Sequence, residues 1–167
     1  MYIKLYIGSS DERSIRVVGS SIVKKAFIYS RSPYDGTQLG LNRHGYRVWG
    51  QRLGGMAWDE LVPRIKYLLN FEDSPSILAM HCGGNSIGQV PLLDLRNQIG
   101  SSLWEIQSLL PSTRLVWSQI LPWSSWRYSS NNMALNFSAR RLNNFAAWLC
   151  IQLGGAYVKY PEIAWDE

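Results

Sequence analysis

Apolar positions along this chain alternate between two periods. Short runs at 15–18, 46–49, 76–82, 114–121 and 156–160 are rich in β-branched and aromatic residues and end in glycine or polar positions, which predicts five strands. Between them the pattern changes to helical spacing, at Ser21–Tyr29, 58–69, 92–110 and 132–153. In the second of these, Trp58, Leu61, Val62, Ile65, Leu68 and Leu69 step at three and four residues, so one face packs on a sheet. Pro63 within that pattern predicts a late start or a kink. The last helix presents Leu135, Leu142, Phe145, Leu149 and Leu153 on one face and meets Gly154-Gly155, a good C-terminal stop. Strands alternating with helices predict parallel pairing through right-handed crossovers, hence an α/β fold: a three-layer α/β/α sandwich around a five-stranded parallel sheet. The opening stretch is set apart. Residues 2–7 alternate as a strand would, and Gly8-Ser9-Ser10 leads only into the polar Asp11-Glu12-Arg13, so 1–14 reads as an extension or extra strand before a domain spanning 15–167.

The 167 residues, 46% of them hydrophobic, suffice for one domain with a real core and no disulfide or metal staple. Cys82 and Cys150 lie in apolar segments and are expected as buried free thiols. The start lacks a basic region followed by a signal-type apolar stretch, and no apolar run approaches the roughly 18 residues of a spanning helix, so a cytoplasmic or nuclear protein is expected. The net charge of +5 permits weak attraction to nucleic acid or anionic lipid. The basic residues, among them Lys24-Lys25, Arg43, Arg47, Arg52 and Arg140-Arg141, are scattered, which favours a solvated basic surface over a dedicated nucleic-acid site. No cofactor is expected: phosphate-loop and dinucleotide fingerprints are absent, and the adjacent pair His81-Cys82 points to opposite faces of a strand, not to one metal.

Three glycine-containing segments each follow a predicted strand: Val18-Gly19-Ser20-Ser21-Ile22, Leu53-Gly54-Gly55-Met56 and His81-Cys82-Gly83-Gly84-Asn85-Ser86. In an open parallel sheet they share the rim at the carboxyl ends of the strands, where ligands bind. A serine at a strand-to-helix turn is exposed to substrate, and the helix N-terminus beside it favours developing negative charge. Taken singly, Gly-Ser-Ser is also an ordinary turn with an N-capping serine, and the other two are also ordinary turns. Order, spacing and the shared rim argue for a site. Trp117, Trp123, Trp126 and Tyr128 cluster around Pro122 on that same rim, as core and loop anchors or as the wall of an acyl or base-stacking pocket.

Together with Trp117-Ser118-Gln119-Ile120-Leu121-Pro122 and Gly154-Gly155-Ala156-Tyr157-Val158-Lys159-Tyr160-Pro161, these blocks resemble the SGNH (GDSL-type) hydrolases, most nearly the SGNH-like domains of animal transposable-element proteins. The resemblance runs from Arg16 to Ile163. It implies the flavodoxin-like SGNH-hydrolase fold, Ser21 as nucleophile, and an oxyanion hole made by the backbone N–H groups of Ser21 and Gly55 with the side-chain amide of Asn85. The chain departs from the family at three places. Ser20 stands where most members have Asp, Ser86 where Asp follows the Asn, and no Asp-x-x-His follows the last strand, Asp166 reading as linker. His81 is the substitute base to consider, although its place at a strand end also suits a structural residue, and His44 reads as a surface loop residue. Two readings remain: an esterase-like domain for a small acyl-ester substrate, weak or inactive without its base, or a non-catalytic binding module, with nucleic-acid association as a variant of the second.

Overall fold

The computed structural model describes residues 13–30 and 36–163; the alternating stretch 2–7 and Asp166 lie outside them. Five strands, β1 (Arg13–Gly19), β2 (Tyr46–Arg52), β3 (Ile77–His81), β4 (Arg114–Ser118) and β5 (Ala156–Val158), form one parallel sheet in the order β2-β1-β3-β4-β5. The connections carry α1 (Ser21–Tyr29), α2 (Leu61–Leu69), α3 (Leu92–Leu109) and α4 (Asn132–Gln152). The alternation predicted the five parallel strands, and the flavodoxin-like order is the one that the resemblance implied.

Element ends differ from the pattern for identifiable reasons. The fourth strand stops at Ser118 and not at 121, because the side-chain amide of Asn143 takes both the N–H (2.8 Å) and the carbonyl (2.9 Å) of Ile120 out of the ladder. The fifth stops at Val158, and the next available N–H, that of Tyr160, donates instead to Gln119 Oε1 at 3.2 Å. The second helical segment begins as a 3₁₀ turn at Trp58–Glu60, and α2 proper starts at Leu61. Pro63 therefore sits in the first turn of α2, where its missing N–H removes no intrahelical bond.

The crossovers decide which face each helix covers. The connections β2→β3, β3→β4 and β4→β5 all advance in one direction, so right-handedness puts α2, α3 and α4 on one face; β1→β2 runs the other way and puts α1 opposite. The main core follows from this. Val18, Leu78, Met80, Leu115 and Trp117 of the sheet pack with Leu61 and Ile65 of α2, Leu95, Ile99, Leu103 and Ile106 of α3, and Ala139, Leu142 and Ala146 of α4. On the other face α1 packs on β1 and β2, burying Val23 and Val48 and laying the Phe27 ring over Gly50. Further along that face Ile77, Ala79, Val116 and Ala156 are only half-buried and Val158 is exposed. Cys82 and Cys150 are free and buried, as expected, and burial pushes the Cys150 thiol up to about 12 and that of Cys82 higher still. Among the described residues no helix is long and apolar enough to cross a membrane.

Candidate active site

Strand order reverses between β1 and β3, and all three glycine loops meet there. Gly19 closes β1 in register with His81 at the end of β3. Its carbonyl accepts the N–H of Leu53 at 3.1 Å, which ties the second loop to the first. The Leu53–Met56 turn is closed by Met56 N–H on the Leu53 carbonyl (3.2 Å), with Gly55 in its third position at φ +73°. That backbone conformation is the one a type II turn demands and a side chain disfavours. The third loop is tied to the second twice. Asn85 Nδ2 donates to the Met56 carbonyl at 3.1 Å, and the buried Ser86 hydroxyl accepts the Trp58 N–H at 2.8 Å. Serine at 86 thus serves the loop as an acceptor without a carboxylate.

Between the first loop, the third loop and the segment after β4 lies a shallow recess lined by Ser20, Ile22, His81, Cys82, Gly84, Asn85, Ile120, Leu121 and Trp123, with Ser21 and the Leu53–Met56 turn outside its lining. Ser20, the N-cap of α1, is buried and lines it; Ser21 is exposed beside it as the first helical residue. The Ser21 N–H is one of the groups that a helix N-terminus leaves without an intrahelical acceptor, at the positive end of the dipole. Asn85 lines the recess, and Gly55 adjoins the carbonyl that Asn85 holds. His44 lies in a 3₁₀ turn just before β2, at the opposite edge of the sheet.

His81 is buried and engaged. Its Nδ1 lies 2.9 Å from Ser118 Oγ, which lies 2.7 Å from the Tyr160 hydroxyl, and the Tyr160 ring stands edge-on at 6.4 Å. Burial lowers its pKa below the ordinary 6.5, so the imidazole is neutral at neutral pH. Stability should follow. Below about pH 6.5 the unfolded chain binds a proton that the native His81 refuses, so stability falls with pH by up to ~1.4 kcal/mol per unit until the native imidazole protonates as well. Urea unfolding between about pH 7.5 and pH 5 should show this slope, and His81→Gln should flatten it.

The residues that shape the far wall escaped the sequence reading. Three asparagines of α4, at 132, 136 and 143, hold the segment after β4. Asn132 Oδ1 accepts the Trp126 N–H (2.9 Å) and its Nδ2 donates to the Ser124 carbonyl (2.8 Å). Asn136 Oδ1 accepts from Trp126 Nε1 (2.8 Å) and the Trp123 N–H (3.1 Å), and Asn143 Oδ1 from Trp117 Nε1 (3.0 Å). Their spacing of four and seven puts all three on one helix face, a signal available in the sequence but masked there by the apolar pattern. The aromatic cluster divides accordingly. Trp117 and Trp126 are buried anchors, Trp123 stacks on Trp126 at 5.1 Å and reaches the recess, and Tyr128 is partly exposed. No group of three metal-ligating side chains exists among the described residues.

A flavodoxin-ordered sheet with its recess at the β1/β3 switch point is an architecture shared with SGNH-hydrolase structures. No family profile matches the sequence, and no curated protein does. Among solved structures the chain is similar to AlinE4, an SGNH-hydrolase family esterase (16% identity, TM-score 0.62, covering 96% of this chain and 86% of that one). It is also similar to a GDSL-like lipase from Bacteroides thetaiotaomicron (14%, TM-score 0.63, 95% and 73%) and to a member of the lipolytic G-D-S-L family from Veillonella parvula (14%, TM-score 0.64, 88% and 77%). At these identities the likeness is one of fold.

Proposed function

We propose that this chain is an SGNH/GDSL-type hydrolase-like domain for carboxylic esters. Ser21 attacks the acyl carbonyl, and the N–H groups of Ser21 and Gly55 with the Asn85 amide receive the oxyanion. The observation that carries the reading is the cross-tied set of three loops at the switch point. Asn85 spends one amide hydrogen on the Met56 carbonyl and keeps the other for a substrate oxygen, in a recess at a helix N-terminus. The fold neighbours, named as esterases and lipases, support the same class.

A second reading, a binding module that keeps the fold without turnover, is favoured by the histidines. The chain has two, His44 at the far edge of the sheet and His81 buried against Ser118. A serine without an oriented base retains only what binding and the oxyanion hole supply, about 10³–10⁴-fold over water. Hydrolysis of p-nitrophenyl acetate should accordingly be slow and should fall to background in Ser21→Ala. A rate untouched by Ser21→Ala would remove the serine from the mechanism. Measurable binding of an acyl ester with no Ser21-dependent rate would establish the second reading.

A further inference from the structure

Helices α3 and α4 carry large apolar side chains on the side that faces water as well as on the side that faces the sheet. The inner face of α4 is spent on the core through Ala139, Leu142, Ala146 and Leu149. Its outer face carries Met133 (69% exposed), Phe137 (51%), Trp148 (57%) and Ile151 (55%). Their spacing keeps them on one face about 27 Å long, as an apolar pair at each end with the exposed Arg140 and Asn144 between the pairs. Leu93 and Trp104, also exposed, extend it on α3. Single exposed apolar residues are ordinary, whereas several large ones grouped with cations on one face suit a contact surface.

The charge on this face is mainly positive. α4 contains Arg140 and Arg141 and no acidic residue. Of the two acids of α3, Glu105 is paired with Lys66 at 2.7 Å, leaving Asp94. Between the helices runs a groove lined by Leu92, Leu93 and Leu142, with Arg96 and Arg141 on its rim. Both guanidiniums lie over aromatic rings, Arg96 over Phe145 at 4.2 Å and Arg141 over Phe137 at 4.8 Å, so the cations and the apolar surface form one patch.

We propose that this face docks on an anionic phospholipid surface, with Arg96 and Arg141 at the headgroup phosphates and Phe137, Trp148 and Ile151 set into the interface. A helix with aromatic and aliphatic residues on its exposed face and arginines among them suits the plane of a bilayer surface. A second copy is disfavoured, since pairing α4 with its own symmetry mate sets Arg140 and Arg141 against themselves. Nucleic acid would use the arginines but leave Met133 and Ile151 without a partner, because aliphatic side chains offer no stacking face.

The test is co-sedimentation of the full chain with phosphatidylcholine vesicles, with and without phosphatidylserine. Binding is expected only to the phosphatidylserine vesicles, and it should weaken with salt. Each arginine contributes about fivefold near an anionic surface, so Arg96→Gln with Arg141→Gln should weaken binding about thirtyfold. Phe137→Ser with Trp148→Ser should abolish it, while circular dichroism and urea unfolding confirm that both variants are folded. No binding, equal binding to both vesicles, or folded variants that bind like the parent would overturn the proposal. So would displacement from vesicles by millimolar inorganic phosphate, which points to a free-anion site. Capture of an oligonucleotide through the same arginines without vesicle binding would replace the lipid by nucleic acid. None of these readouts depends on ester hydrolysis.

Discussion

Gly19→Ala should cost about 3 kcal/mol or more of folding stability, among the largest losses any single methyl group can cause in this chain. A Cβ at position 19 would run into the carbonyl oxygen of His81 and into Cγ2 of Val23. The valine can rotate. The carbonyl belongs to the backbone of the neighbouring strand, and it moves only if β1 and β3 separate at the point where their loops form the recess. The measurement is the urea midpoint, with Gly54→Ala as control, because a Cβ at 54 meets open space and should change stability by less than about 0.5 kcal/mol. Equal midpoints for the two variants would show that the sheet edge is looser than its register implies.

Asn143→Leu should be comparably damaging, through polarity and not volume. The amide accepts from the Ile120 N–H and from Trp117 Nε1 and donates to the Ile120 carbonyl, all in the interior. Leucine fills similar space but leaves two donors and one acceptor buried without partners. At about 1–3 kcal/mol for each such group, a loss of about 3–5 kcal/mol is expected by urea unfolding, with an altered near-ultraviolet signal from Trp117. Asn144→Ala, on the exposed side of the same turn, should be nearly silent. If Asn143→Leu were also silent, the amide clamp would not be what ends the fourth strand.

These two positions mark the boundary of what a sequence reader can see. Gly19 was legible as a turn, because a glycine after a β-branched run is local punctuation. That it is required by the carbonyl of a residue far along the chain was not legible, since strand order is a long-range property. Strand and helix existence was readable throughout, for the periods of two and 3.6 are strong over these lengths. The ends at Ser118 and Val158 were not, because Asn143 and Gln119 terminate them from outside the strand. The site divides the same way. The three loops announced themselves by glycine and order, and the ties of Asn85 to Met56 and of Ser86 to Trp58 needed the fold. His81 could be weighed only in general terms until Ser118 and Tyr160 came to lie against it, and the burial of Ser20 beside an exposed Ser21 is a matter of helix phase that the triplet alone leaves open.

The strand order also has a kinetic consequence. β3, β4 and β5 are each joined to their sheet neighbour through the single helix between them in sequence, but β1 must pair with β3 across the whole of α1, β2 and α2. Closing so long a segment costs more chain entropy than closing the shorter ones, and non-local parallel pairing is slow to form. The recess is built on that junction. In a growing or refolding chain, the half of the sheet bearing α3 and α4 can therefore condense before Ser20 and Asn85 face one another, and the cleft becomes a late product of folding.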